Sequence, residues 1–146
     1  MTQRAQWMAI LAKADWPVLD AACRQLEGMP SFTTLRSPET GLVMVRAKTG
    51  GTGNPFNMGE ATVTRCAVVS DAGYTGHAYI LGRNHEHALT AARIDALMQD
   101  DTRRDALWNQ IISPLARTAE ERKQREREKV AATRVDFFTL VRGEDE

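Results

Sequence analysis

The sequence predicts an α+β fold: an antiparallel sheet, made of a central meander and a C-terminal strand, with helices from the N-terminal part and the C-terminal half packed on it. Three observations carry this. Apolar residues at helical spacing open the chain, short β-rich runs separated by turn residues follow from Ser31, and helical spacing returns after Gly82. With 146 residues, 42% hydrophobic and 26% charged, the chain has a globular composition and the length for one domain, residues 1–146, with its own core.

Residues 3 to 14 place Trp7, Ile10, Leu11 and Ala14 on one helical face. Asp15 then caps a second helix that accepts Pro17 in its first turn, carries the stripe Val18, Ala22 and Leu26, and stops at Gly28 with Pro30 beyond. Four strands follow, Phe32 to Leu35, Leu42 to Ala47, Ala61 to Val69 and Tyr74 to Leu81. Their breaks hold Pro38 with Gly41, the run Gly50-Gly51-Thr52-Gly53-Asn54-Pro55, and Asp71-Ala72-Gly73. Breaks this short favour antiparallel hairpins over crossovers.

Asn84 reads as the cap of a helix carrying Ala91, Ile94, Leu97 and Met98 on one side. Thr102 and Asp105 open another, with Leu107, Trp108, Ile111 and Leu115, interrupted or kinked near Pro114. Thr118 and Glu121 form a capping-box pair, and Glu120 to Lys129 contains no apolar residue, the mark of a solvated, bridging or partner-facing helix. Val135, Phe137, Thr139 and Val141 alternate with Asp136, Phe138, Leu140 and Arg142 as a last strand closing at Gly143. Phenylalanine on both of its faces predicts burial on both sides, by this chain or another.

Lys plus Arg and Asp plus Glu number 19 each, so no global field draws in nucleic acid or an anionic membrane. The first fourteen residues interleave Gln3, Arg4, Gln6 and Lys13 with apolar ones, unlike a signal peptide or spanning helix, which predicts a cytoplasmic chain. Cys23 and Cys66 have no second Cys or His at metal-ligand spacing and read as buried, reduced thiols.

Gly50 to Gly53 can cradle a phosphate through freed backbone N–H groups, but it lacks the lysine of a Walker loop and lies between strands. A hairpin loop or partner-docking loop is the competing reading. His85 and His87 flank Glu86, yet two residues apart on a helix they project about 200° apart and cannot share one metal ion. His87 heads the packed stripe and reads as a hydrogen-bonded core or interface histidine, and His77 in its strand reads likewise. Arg122, Lys123, Arg125, Arg127 and Lys129 are interleaved with Glu120, Glu121, Glu126 and Glu128, which nearly cancels the charge a nucleic acid would need. No nucleophile motif and no glycosidase-like carboxylate pair is present, so no catalytic residue is assigned.

Several segments together resemble one family. They are Glu39-Thr40-Gly41-Leu42-Val43, Gly50-Gly51-Thr52-Gly53, Gly59-Glu60-Ala61-Thr62-Val63-Thr64-Arg65, Gly82-Arg83 followed by His87-Ala88, Ile94-Asp95-Ala96-Leu97-Met98-Gln99, and the terminal Arg134-Val135-Asp136-Phe137-Phe138-Thr139-Leu140-Val141-Arg142-Gly143. In order and spacing the chain resembles the PhnG family, the G subunit of the carbon–phosphorus lyase core complex. The resemblance implies partnership with the H, I and J subunits and a functional link to the L protein. It implies that MgATP is a substrate of the complex, its adenine displaced by a phosphonate to give ribose 1-phosphonate 5-triphosphate. It assigns that reaction to the I subunit and the iron–sulfur radical step to the J subunit, and implies no cofactor in this chain.

Two expectations follow. As a subunit, the chain meets partners, or an anion, through Gly50, Gly51, Thr52, Gly53, Arg65, Arg83, His87, Arg134, Asp136, Phe138 and Arg142, with strand addition at a sheet edge as one mode. Alternatively it is a small stand-alone phosphate- or nucleotide-binding enzyme that uses Gly50 to Gly53 with Arg65 or Arg83.

Overall fold

A computed structural model describes residues 2–132 and bears out the α+β reading. Two helices, α1 (Gln3–Lys13) and α2 (Trp16–Arg24), lead into the strands β1 (Phe32–Lys48), β2 (Pro55–Ser70) and β3 (Thr75–Leu81). Three more helices follow, α3 (His85–Met98), α4 (Asp101–Leu107) and α5 (Ser113–Ala132). The sheet is an antiparallel meander in the order β1-β2-β3. The expected strand from Val135, with Arg134, Asp136, Phe138 and Arg142, lies outside the described residues.

The strands differ from expectation in length. Pro38 and Gly41 do not turn the chain, because β1 runs unbroken through both, with register shifts between Thr34 and Arg36 and between Arg36 and Glu39. Proline cannot donate to a ladder, and a bulge on an edge strand is where a sheet tolerates it. A shift between Val45 and Arg46 places one extra residue, Met58, in β2. Four predicted strands thus become three, two of them long.

Helix boundaries also moved. The buried residue of α2 is Leu19, with Ala22, Cys23 and Leu26 packed beside it, while Val18 is exposed. The helix ends at Arg24, before Gly28. Asp15 sits at its N-cap position without a side-chain cap bond. Asp100, not Thr102, caps α4, its Oδ1 accepting from the Thr102 N–H at 2.9 Å. Trp108 to Ile112 form a π-helical turn, which puts the irregularity just before Pro114. The proline has no N–H for the carbonyl four residues back, and the wider turn absorbs that mismatch. Thr118 lies inside α5, its hydroxyl donating to the Pro114 carbonyl at 3.1 Å, so no helix starts there.

One sheet face carries Thr64, Cys66, Val68, Ala78 and Ile80 against Ala88, Ala91, Ile94 and Leu97 of α3, with Trp7, Leu11, Leu19, Ile111 and Ile112 completing the core. Gly76 makes the closest approach possible: a Cβ there would lie 1.9 Å from the Ala92 carbonyl oxygen. Beside it sits the fully buried carboxylate of Asp95. It accepts from Arg4 at 2.7 and 3.1 Å, from the Trp7 indole at 2.8 Å and from the His77 backbone N–H at 2.9 Å. The Thr75 carbonyl accepts from Arg4 at 3.1 Å and from Gln99 at 2.7 Å. The outer edge of β3 is therefore covered at its start, Thr75 and His77, by side chains of α1 and α3.

Replacing Asp95 by alanine should cost about 2–4 kcal/mol, since the Trp7 and His77 donors lose their acceptor while half-exposed Arg4 can still reach water. A urea unfolding midpoint unchanged from the parent protein would contradict this role.

Candidate docking arm

The ladder between β2 and β3 ends at Val63 and Leu81, but β1 and β2 continue as a pair out to Lys48 and Pro55. The result is a two-stranded arm that projects past the third strand. Leu42 and Met44 lie on one face, Val43 and Val45 on the other, following the period-two alternation of a strand. Leu42 is 64% exposed, Met44 60%, Met58 65% and, at the arm's base, Leu81 74%. Val43 and Phe56 are exposed as well. Scattered surface leucines are ordinary, but so many large apolar groups on one projecting element make it a candidate interaction surface.

The arm's tip explains the glycines. Gly50 and Gly51 both have positive φ, 59° and 80°, as a type I′ hairpin turn requires. The Gly53 N–H donates to the Thr49 carbonyl at 2.8 Å, and a Cβ on Gly53 would sit 2.6 Å from that oxygen. Turn geometry thus accounts for all three, and one of the N–H groups that a phosphate would need is already used. Thr52 is exposed beside them.

A chain of hydroxyls pins the arm's base to α3. The buried Thr64 hydroxyl donates to the Gly82 carbonyl at 2.7 Å, so its oxygen must accept from Thr40, 3.0 Å away. The Thr40 oxygen in turn accepts from His85 Nε2 at 2.9 Å, which assigns the proton of that ring to Nε2. Asn84 caps α3 by accepting from the His87 N–H at 2.9 Å. Arg83 is exposed in the same link.

Arg65 lies on the uncovered face of the sheet, donating to Glu39 Oε1 at 2.6 Å, and Arg36 donates to the same oxygen. The two guanidiniums, Arg36 foremost, hold the Glu39 carboxyl below its usual range, and Glu39 raises Arg65. Tyr79 sits next to Arg65, and Gly41, Val43 and Val63 line the shallow depression between them. Arg65 therefore brings less free charge to an anion than an unpaired arginine.

His87 departs from its expected place among the contact residues. It is buried, its Nε2 2.8 Å from the Leu11 carbonyl and its ring stacked on Trp16 at 5.8 Å, which makes it a pin between α1, α2 and α3. His77 is exposed on the uncovered sheet face, and only its backbone is engaged by Asp95. Cys66 is buried, but Cys23 is only half-buried. Burial and the charge of Asp20 push the Cys23 thiol up to about 11. Among the described residues no group of three or more His, Cys, Asp or Glu is placed to hold a metal, and no helix is long and apolar enough to cross a membrane.

The arm's apolar side chains were not singled out from the sequence. The available signal was the unalternating run Leu42-Val43-Met44-Val45, which presents apolar groups to both faces of a strand.

Two comparisons with known proteins bear on the chain as a whole. A family model described as phosphonate metabolism protein PhnG matches residues 2–143. The chain is also 47% identical over 148 residues, covering 99% of itself and 92% of the relative, to the alpha-D-ribose 1-methylphosphonate 5-triphosphate synthase subunit PhnG of Rhizobium meliloti (strain 1021).

The raised thiol generates a test. At pH 8 iodoacetamide should modify Cys23 about a hundredfold more slowly than a free cysteine, with the rate climbing toward pH 11 as thiolate forms. A rate midpoint near pH 8.5 would show the thiol to be unperturbed.

Proposed function

This chain belongs to the PhnG family of phosphonate-metabolism proteins, and from that premise we propose that it is a non-catalytic but required subunit of a multisubunit synthase. In this reading the assembly is the carbon–phosphorus lyase core complex, with H, I and J subunits as partners and the L protein linked to it in function. The complex, located in the cytoplasm, displaces adenine from MgATP with a phosphonate to give ribose 1-phosphonate 5-triphosphate. MgATP is a substrate of the complex, and this chain supplies docking surface, not a cofactor.

The observation that carries the proposal is the arm, whose large apolar side chains are exposed beyond β3. Fully burying one such side chain is worth about 1.5–3 kcal/mol, stabilisation that the described chain leaves unused. The proposed contact set joins the arm, with Gly50 to Gly53 at its tip, to the uncovered sheet face around Arg65 and to Arg83 at the base. It extends to Arg134, Asp136, Phe138 and Arg142 beyond the described residues. The stand-alone anion-binding alternative is weakened by the engagement of the Gly53 N–H with Thr49 and of Arg65 with Glu39.

The test is co-expression with candidate H, I and J subunits from the same organism. Leu42→Asp combined with Met58→Asp should weaken co-purification at least about tenfold. Because both positions are exposed, stability of the isolated chain should stay within about 0.5 kcal/mol per site. Turnover of ATP plus phosphonate by the complex should fall in step with assembly. Turnover by the isolated chain, or undiminished assembly of the folded double variant, would overturn the proposal.

A further inference from the structure

Resting on the docking role just proposed, we infer that the open edge of β2 along the arm receives an extended strand from a partner subunit, one that is apolar and carries carboxylates near the arm's tip. The Thr62 carbonyl accepts from the Gly82 N–H at 2.9 Å, so the backbone groups of Thr62 face the side where β3 would continue. Two residues on, in unbroken register through Leu42↔Thr62 and Met44↔Glu60, the N–H and C=O of Glu60 face the same way. β3 ends at Leu81, and among the described residues no strand pairs with this part of β2.

The chemistry of the arm selects the occupant. A partner that covers Met58, Leu42 and Phe56 also removes water from this edge, and each backbone group then left unpaired would cost about 1–3 kcal/mol. Only an extended strand presents donors and acceptors at the matching spacing. Running antiparallel to β2, it would continue the line of β3 from Leu81 toward the tip. From Leu42 to Gly59 the charged residues are Arg46 and Lys48, and no carboxylate occurs. Neither cation is in an ion pair among the described residues. A partner strand flanked by Asp or Glu near the tip complements them. A second copy of the arm would bring the same two cations against one carboxylate, Glu60, and leave an excess of positive charge.

The experiment is amide exchange over Asn57 to Thr62 in the full-length chain, alone and in the co-expressed complex with H, I and J. Exchange in this segment should slow about a hundredfold on assembly. Glu60→Pro removes the outward N–H while sparing the ladder to β1, and should weaken assembly tenfold or more, whereas Glu60→Gln should assemble like the parent. Arg46→Glu with Lys48→Glu should slow association about tenfold, an effect that shrinks at high salt. If the complex forms and these amides still exchange at the free-chain rate, the strand is excluded and the docking role stands. If the parent chain does not assemble at all, the docking role itself falls, and this inference with it. Protection already present in the isolated chain and lost on truncation after Ala132 would assign the edge to the chain's own C-terminal segment. A dimeric mass with protection would assign it to a second copy. Either of those results overturns the inference, and should Glu60→Pro fail to fold, exchange in the unmodified protein decides.

Discussion

The buried carboxylate of Asp95 is the interaction on which the arrangement depends. A charge taken out of water is tolerated only when its lone pairs are filled, and here α1 supplies Arg4 and Trp7 while β3 supplies the His77 N–H. One side chain thereby sets α1, β3 and α3 against one another. Gly76 can let α3 touch the strand because Asp95, on the helix turn facing it, fixes where the helix lies. With α3 so placed, its first turn meets the base of the arm through His85, Thr40 and Thr64. The direction of the arm is inherited from the core.

An isolated two-stranded ribbon is marginal in water, so an arm of this length persists only if anchored. Its base is anchored by the three-stranded ladder and the threonine chain, and its tip by the two positive-φ glycines with the Gly53 to Thr49 bond. Between the two, the side chains gain little from this chain's own core. The same exposure that makes these residues poor contributors to folding is what the proposed docking role would use, since their burial could add to association.

Much of the body was legible because its signals are local. The stripe Ala91, Ile94, Leu97 and Met98, the Asn84 cap and the antiparallel hairpins each rest on periodicity or turn chemistry within a short window. Pro38 misled because a proline with a nearby glycine signals a turn locally, and only pairing with β2 converts it into a bulge. Val18 and Leu19 differ by one position on a nine-residue helix, and which one is buried depends on where α3 and the π turn stand, information no local window contains. Asp95 read as one residue of a motif, since its partners lie 18 to 91 residues away. The glycines were visible at once, but the structural reason for them, the positive φ of Gly50 and Gly51 and the close approach of Gly53 to Thr49, was not.

The edges of the sheet show how the chain treats exposed backbone. The outer edge of β3 is covered at its start, by Asp95 on the His77 N–H and by Arg4 and Gln99 on the Thr75 carbonyl. The edge of β1 is distorted by two register shifts and carries Pro38 between Thr34 and Glu39, devices that discourage pairing there, while from Glu39 to Val45 its register is unbroken. Among the described residues, the stretch of β2 from Gly59 to Thr62 has no such cover apart from the Gly82 N–H on the Thr62 carbonyl. Strand addition there would draw on that short stretch together with Arg46 and Lys48, neither of which is in an ion pair among the described residues. With zero net charge and no global field, any electrostatic attraction to a partner would have to come from local groups such as Arg46 and Lys48 at the arm's outer end.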